Sequence, residues 1–340
     1  LAEWASIRVY ESEPEELCVC YSPLEKFFVR LKEVLYARDL WNIGIIDAPI
    51  ASFLEPGFQP RVRWFPRRQK RVYVADPFGL VHEGQRYLFC EKFDYKTYTG
   101  SLIAARLSPN NELEHPVRIL SQDVHQSYPY IFKFEGKVYC MPEAARSGRV
   151  AAYQALELPH RWSTTIRILD DVALVDPTIF EYAGRWWLFG VDRDRDRHAA
   201  LYAWYADNPF GPWKPHAGNP IKQDPGSSRP GGTPFTHKGV LYRPAQDCRR
   251  SYGAGLVINR IDVLTPHAFE EEPVRWLLPC APGPCPHGVH TISSFGNQTL
   301  IDGKNTGFVA WALLGTFRKY FAKLARLAGW RREDSGDEQS

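Results

Sequence analysis

Apolar residues in this chain come in short runs separated by glycine turns and polar residues, and the runs repeat. Four dipeptides open successive units: Asp76-Pro77, Tyr128-Pro129, Asp176-Pro177 and Arg229-Pro230, with the prolines 52, 48 and 53 residues apart. Seven residues after each of the first three prolines comes a glycine, Gly84, Gly136 and Gly184; in the fourth unit the turn is Lys238-Gly239, two residues later. Aromatic segments follow, among them Tyr87-Leu88-Phe89, Val138-Tyr139-Cys140, Trp186-Trp187-Leu188-Phe189 and Leu241-Tyr242. An apolar run, a glycine turn and a second apolar run predict a β-hairpin. A third strand is expected in each unit, over 101–107, 150–156, 199–206 and 255–261, with a fourth outside it.

Units of about 50 residues with several strands each are the signature of propeller blades. The pattern therefore predicts an all-β chain folded as a five-bladed β-propeller. Four full units cover roughly 72 to 275. The fifth inner hairpin is expected at 290–294 followed by Thr299-Leu300-Ile301, with Trp41–Ile46 supplying a strand that seals the ring and removes its exposed edges. The expected division is 1–40 as a partly helical N-terminal extension carrying the amphipathic stretch 24–36, 41–307 as the propeller, and 308–340 as a basic amphipathic helix and disordered tail. At about 100° per residue, Leu313, Leu314, Phe317, Tyr320, Phe321 and Leu324 share one face of that helix, and Arg318, Lys319, Lys323 and Arg326 share the other. Such a helix either packs on the propeller or lies peripherally on an anionic membrane.

Composition adds less. A net charge of +3 gives no case for a nucleic-acid partner. Aromatics reach 14%, which fits strand packing and also the stacking of sugar rings. The seven cysteines are odd in number; Cys18 and Cys20 are too close for an easy bridge, and Cys280 and Cys285 could pair. No leader peptide and no long apolar run is evident, although the chain begins at Leu1. A reducing, cytoplasmic setting is the expectation, with membrane association left open.

The chemistry follows from the repeat. The starts of the innermost strands converge on the propeller axis, so Asp76, Tyr128, Asp176 and Arg229 should form a ring, with His290 as its fifth member. Glu91, Glu143, Asp192 and Asp247 form a second acidic series on the next strands. Paired carboxylates at an axial pocket suit glycosyl transfer, one as acid on the leaving oxygen and the other as base or nucleophile. Asp76, Glu143 and Asp176 are the candidate catalytic residues; Glu91, Tyr128, Arg229, Arg243, Asp247 and His290 are the candidate substrate-binding residues. Two alternatives stay open. An Asp-Pro can simply cap a turn, and Arg229 and Arg243 can neutralise Asp76 and Asp176 instead of gripping a ligand. His287 and His290 lie three apart with no obvious third ligand, so neither a metal nor a cofactor is expected.

Ala75-Asp76-Pro77-Phe78, Ser127-Tyr128-Pro129, Pro142-Glu143, Asp176-Pro177-Thr178, Gly184-Arg185-Trp186-Trp187, Ser228-Arg229-Pro230-Gly231-Gly232 and Arg243-Pro244-Ala245-Gln246-Asp247 together resemble the N-terminal propeller domain of plant glucosamine inositolphosphorylceramide transferases and their bacterial relatives, over roughly 40–305. More distantly the chain is similar to the five-bladed clan of family 43 and 68 glycoside hydrolases. The resemblance implies a carbohydrate or glycolipid substrate. In the hydrolase clan it also implies an Asp, an Asp and a Glu in the first three blades. Asp76 matches the first; Tyr128 and Asp176 depart from the others, so the hydrolase triad is not intact as spaced. A separate transferase domain follows the propeller in the plant proteins, and the residues after 305 are too few to hold one. Two readings follow: an enzyme of glycosyl transfer, transferase or hydrolase-like, in surface glycan or glycolipid metabolism, or a non-catalytic glycan-binding propeller that presents substrate to a partner glycosyltransferase.

Overall fold

In a computed structural model, residues 3–4, 7–15, 38–66, 71–120 and 124–307 are described. They form a five-bladed β-propeller whose blades are antiparallel sheets. Blade one runs Val72–His82, Gln85–Asp94, Thr99–Leu107 and Leu113–Ile119 from the axis outward. Blade two is Ser127–Phe134, Lys137–Glu143 and Arg149–Glu157, with an outer strand split into Arg161–Trp162 and Ile166–Asp170. Blade three is Leu174–Tyr182, Arg185–Asp192 and Ala200–Ala206, with short outer pieces. Blade four is Phe235–His237, Val240–Asp247, Gly255–Leu264 and Phe269–Pro279.

Blade five is built from both ends of the described chain. Ile292–Phe295 and Gln298–Gly307 form its inner hairpin, and Arg38–Ile46 pairs with the latter from Thr299↔Ile46 to Gly307↔Arg38. The expected sealing strand is therefore present and longer than its apolar core suggested. The segment expected to stand outside the ring also contributes: Ile7–Tyr10 adds to the outer edge of blade four, and Glu3–Trp4 pairs with Val62–Trp64 at the edge of blade five. Both stretches expected to be amphipathic helices, 24–36 and 308–332, lie outside the described residues. Two complete 3-10 turns are described, Ile50–Leu54 and Ala145–Ser147.

The repeat is a register device. Glu83-Gly84, Glu135-Gly136, Ala183-Gly184 and Lys238-Gly239 all have positive φ at both positions, the backbone of the tight hairpin turn that matches strand twist. The hairpins bury an apolar face between neighbouring blades: Phe78 of blade one meets Tyr128 of blade two edge-on at 4.8 Å, and Phe132 of blade two meets Trp186 of blade three at 6.0 Å. Blades four and five share a second core that includes Leu256, Ile258, Leu277, Ile292 and Ile301. Cys280 and Cys285 do not pair; both are free thiols.

Because the sealing strand has no substitute, cavities in it should be costly. Ile45 is 1% exposed. Ile45→Ala is expected to lower unfolding stability by about 2–5 kcal/mol, the range for truncating a buried aliphatic residue, whereas Val81→Ala, at a 42% exposed position, should change it by under about 0.5 kcal/mol. Urea unfolding followed by tryptophan fluorescence measures both.

Candidate functional site

The inner strands do not enter the axis as regular β-structure. Asp76, Tyr128 and Asp176 have φ of 51°, 46° and 49°, the left-handed region that residues with side chains rarely adopt. Each precedes a proline, which has no N–H for the ladder. The strand registers shift at Asp76-Pro77 and at Asp176-Pro177. Such bulges re-aim a side chain and its backbone N–H. Here all three amides turn to a carboxylate of the preceding blade. Asp76 N donates to Asp302 Oδ2 at 3.1 Å, Tyr128 N to Asp76 Oδ2 at 3.1 Å, and Asp176 N to Glu143 Oε2 at 3.2 Å. The Asp-Pro pairs are thus more than turn caps.

Around Asp76 the network is closed. Its Oδ1 accepts from Thr291 Oγ1 at 3.0 Å and lies 3.2 Å from His290 Nε2. His290 Nδ1 lies 2.6 Å from Asp302 Oδ2, and Asp302 Oδ1 accepts from the amides of His290 and Thr291. All three side chains are buried. Burial opposes charge on His290, but Asp302 and then Asp76 outweigh it and push its pKa up to about 10. Burial likewise opposes charge on Asp76, yet His290, then Thr291 and the Tyr128 amide, hold it below its ordinary value. The ligand atoms of Asp76, His290 and Asp302 fall within 4.8 Å of one another; at neutral pH the imidazolium itself is the cation between the two carboxylates. Trp41 covers the ring at 3.8 Å between centroids, and Tyr252 meets its edge at 5.2 Å. His287, paired with His290 in sequence, is engaged elsewhere: its Nδ1 accepts from the Thr306 amide.

Asp176 is held from blade four. Its Oδ2 accepts from Arg229 Nε at 2.6 Å and from Gln246 Nε2 at 2.7 Å. Arg229 stacks on Tyr252, 4.7 Å from guanidinium to ring centroid, and one Nη lies 3.4 Å from His198 Nδ1. Of the two roles open to Arg229, charge neutralisation of Asp176 is therefore realised.

Glu91 and Glu143 occupy one register, opposite Ala75 and Ser127, each just before a ring residue. Neither has a guanidinium or ammonium partner among the described residues. Burial, then Asp176, raises Glu143 to about 8, with Arg229 pulling the other way. Glu143 is partly buried at the mouth. Glu91 is buried, 3.7 Å from His125 Nε2, and burial followed by Asp76 and Glu143 raises it well above the usual carboxylate range. The acidic series ends there. In blade three the same register, opposite Val175, holds Val191. Asp192, one residue later, falls on the other side of the strand and pairs with Arg195.

Three expected ligand-binding residues have other work. Tyr128 is buried; its hydroxyl accepts from the Gly232 amide at 2.8 Å and lies 3.0 Å from Thr178 Oγ1, tying blade two to blades three and four. Gly232 is required at that contact, since a Cβ there would sit 1.7 Å from Ile292 O at a φ of 130°. Arg243 points away from the axis and gives Nε and Nη2 to Glu271 and its Nη groups to the carbonyls of Ser227 and Ser228. Asp247 accepts from the Arg249 amide and guanidinium, fixing the 248–254 loop that carries Tyr252. The sequence reading missed Asp302, Thr291, Gln246, Tyr252 and His198. A faint signal existed for Asp302, a polar residue directly after the apolar run Thr299-Leu300-Ile301.

The fold and site define a five-bladed propeller with a ring of partly paired carboxylates at its axial mouth. Residues 67–280 match the family described as "Glucosamine inositolphosphorylceramide transferase 1, N-terminal", and the chain belongs to that family. It is 37% identical over 209 residues to glucosamine inositolphosphorylceramide transferase 1 of Oryza sativa subsp. japonica, and 35% over 212 residues to that of Arabidopsis thaliana. Those matches take in 60% and 61% of this chain and 28% of each relative, so the chain spans about a quarter of the relatives' length. Similar solved structures include a thermostable family-43 glycoside hydrolase, with TM-score 0.47, 15% identity, and coverage of 63% of this chain and 78% of that one. An exo-β-1,3-galactanase from Clostridium thermocellum gives TM-score 0.49 and 10% identity, with coverage of 63% and 53%. These are distant resemblances and bear on neither activity nor substrate.

The His290 ion pairs set a stability profile. A histidine whose folded pKa lies above its unfolded value of about 6.5 contributes fully below that value, and the contribution is lost as pH rises toward about 10. His290→Gln should flatten the decline in stability over that window and cost about 3–5 kcal/mol at neutral pH by leaving two buried carboxylates without their cation. Thermal unfolding across pH 6–10 compares the two proteins.

Proposed function

We propose that this chain is a carbohydrate-active propeller in which glycosyl transfer takes place at the axial mouth. The observation that carries the reading is that two carboxyl groups of one site sit in opposed surroundings, Asp76 held by His290, Thr291 and the Tyr128 amide and Glu143 set against Asp176. Glu143 is kept protonated at neutral pH by burial and by Asp176, while Asp76 is kept ionised by His290, Thr291 and the Tyr128 amide. Environments that push carboxyl pKa values apart are how acid and base roles are divided. In this reading Glu143 protonates the departing glycosidic oxygen. Asp76 faces the positive charge that develops at the anomeric carbon, and Asp176 orients Glu143 through its backbone N–H. Glu91 and Arg229 contact the sugar. The relatives' name, with glucosamine and an inositolphosphorylceramide in it, supports a glycan or glycolipid as substrate.

A second reading has its own support. Both oxygens of Asp76, and Oδ2 of Asp176, already accept protein hydrogen bonds. Carboxylates so engaged suit a propeller that binds a glycan and presents it to a partner glycosyltransferase. A panel of p-nitrophenyl glycosides and activated sugar donors separates the two. For an enzyme, Glu143→Gln should lower kcat/KM by about 10²–10⁴ and abolish an activity loss that sets in as pH rises through about 8. Asp76→Asn should cost 100-fold or more, on the order of an acid–base group's contribution. Sugar binding without turnover by the wild-type chain would select the presenting role.

The basic amphipathic stretch 308–332 extends the proposal to a peripheral, reversible membrane contact, consistent with a lipid-linked acceptor. The full chain should co-sediment with anionic liposomes at low salt and less at high salt, and a chain ending at Gly307 should not. Equal failure of both to bind would remove the membrane contact.

A further inference from the structure

The rim between blades three and four carries more N–H donors than the protein can accept. Arg197 Nε points at His198 Nε2 at 3.2 Å, and Arg229 Nη1 lies 3.4 Å from Nδ1 of the same ring. Neutral imidazole has one acceptor nitrogen and one N–H, so it can receive one of these two guanidinium donors, not both. The ring is neutral here: burial, then Arg229 and Arg197, push His198 down to about 4. The carboxylates close by do not correct the surplus. Asp192 pairs with Arg195, and Asp196 accepts from the amides of His198 and Ala199. Asp194 makes no ion pair with Arg193 or Arg197 among the described residues. Asp176 already takes Arg229 Nε and Gln246. Arg229 is 7% exposed, and its Nη2 has no protein partner among the described residues.

A buried guanidinium with a spare donor, a second guanidinium beside it and a ring with no acceptor for both are the requirements of an anion. We infer that this rim is a phosphate subsite, bridged by Arg197 and Arg229 with His198 between them and Tyr252 beneath Arg229. A tetrahedral phosphate offers several acceptor oxygens to the two forks. It also restores a consistent pattern to His198, which can then take a second proton and donate. The blade three loop 193–199 and the opening residue of blade four meet at the same end of the ring as Asp76 and Glu143. The subsite therefore sits beside the carboxylate-lined mouth, and the ligand class it selects is a sugar carrying, or attached to, a phosphate. This rests on the proposed carbohydrate role of the mouth, but phosphate binding is read without turnover.

The test is titration of the full chain with inorganic phosphate, following the His198 ring by ¹H–¹⁵N NMR and affinity by calorimetry. Phosphate should shift the His198 nitrogens and raise the ring's titration midpoint. Arg197→Gln, at an exposed position that spares the fold, should weaken phosphate about tenfold or more, the effect of one charge-assisted hydrogen bond. Arg149→Gln, at another exposed arginine without an ion pair among the described residues, should leave affinity unchanged. Parallel titrations with glucose 1-phosphate and with phosphatidylinositol vesicles distinguish a soluble sugar phosphate from a lipid phosphate as the source, and tighter binding of either supports the subsite. The inference is overturned if phosphate moves His198 no more than chloride at equal ionic strength, or if Arg197→Gln binds it as tightly as the wild type. Phosphate binding with no turnover of any glycoside would keep this subsite and discard only the catalytic role.

Discussion

Everything at the centre of this propeller depends on paying the desolvation of carboxylates that converge on one axis. Isolated charges in such a place would neutralise or unfold the ring. The chain answers with two devices. Left-handed residues before prolines turn backbone N–H groups toward the carboxylate of the preceding blade, as at Asp76, Tyr128 and Asp176. Two cations, His290 and Arg229, cover Asp302, Asp76 and Asp176. Backbone strain at these positions is tolerated because each strained amide makes a bond that joins two blades. The same bonds decide which carboxyls are spent on the fold and which stay available. Among the described residues Glu91 and Glu143 have no guanidinium or ammonium partner, and their raised pKa values are the electrostatic residue of that division.

Much of this was legible in the sequence, and the legible part has a physical reason. A blade repeats because each hairpin must bury the same face against the next, so proline and glycine recur at fixed distances and mark the ring positions. The sealing strand was legible for a related reason, since a ring needs a partner for its last blade and Trp41–Ile46 offers an apolar one. The acidic series misled where a count of residues replaced a count of register. Asp192 is one position out of step with Glu143, and one position in a strand reverses the face. Arg243 and Asp247 sit in a conspicuous polar motif, yet their partners, Glu271 and Arg249, lie on an outer strand and on the following loop. Spacing within a unit does not reveal partners of that kind. Asp302 and His198 escaped notice because each is defined by contacts between blades, which periodicity within one blade cannot encode.

The mouth is polarised as a result. Among the described residues, blades one and two present Glu91 and Glu143 without a guanidinium or ammonium partner, and blades three and four present Arg197 and Arg229 around His198. A ligand that spans both halves would have to be bipolar or to carry an anionic group at a set distance from its reacting bond. Orientation would then be fixed by charge before any hydroxyl is read, which is a different kind of selectivity from that of aromatic sugar platforms.

The sealing of blade five by Arg38–Ile46 also bears on how the chain is made. That strand leaves the ribosome before blade one, while its partner, Gln298–Gly307, emerges only after four blades have been synthesised. Until that partner arrives Arg38–Ile46 is paired on one side only, with Val62–Trp64, and blade one lacks the wall that Phe295 later provides against Gly79. Contacts so distant in sequence form slowly. The nascent protein is therefore an open arc with two sticky ends, and its hazard is pairing with another arc rather than with itself.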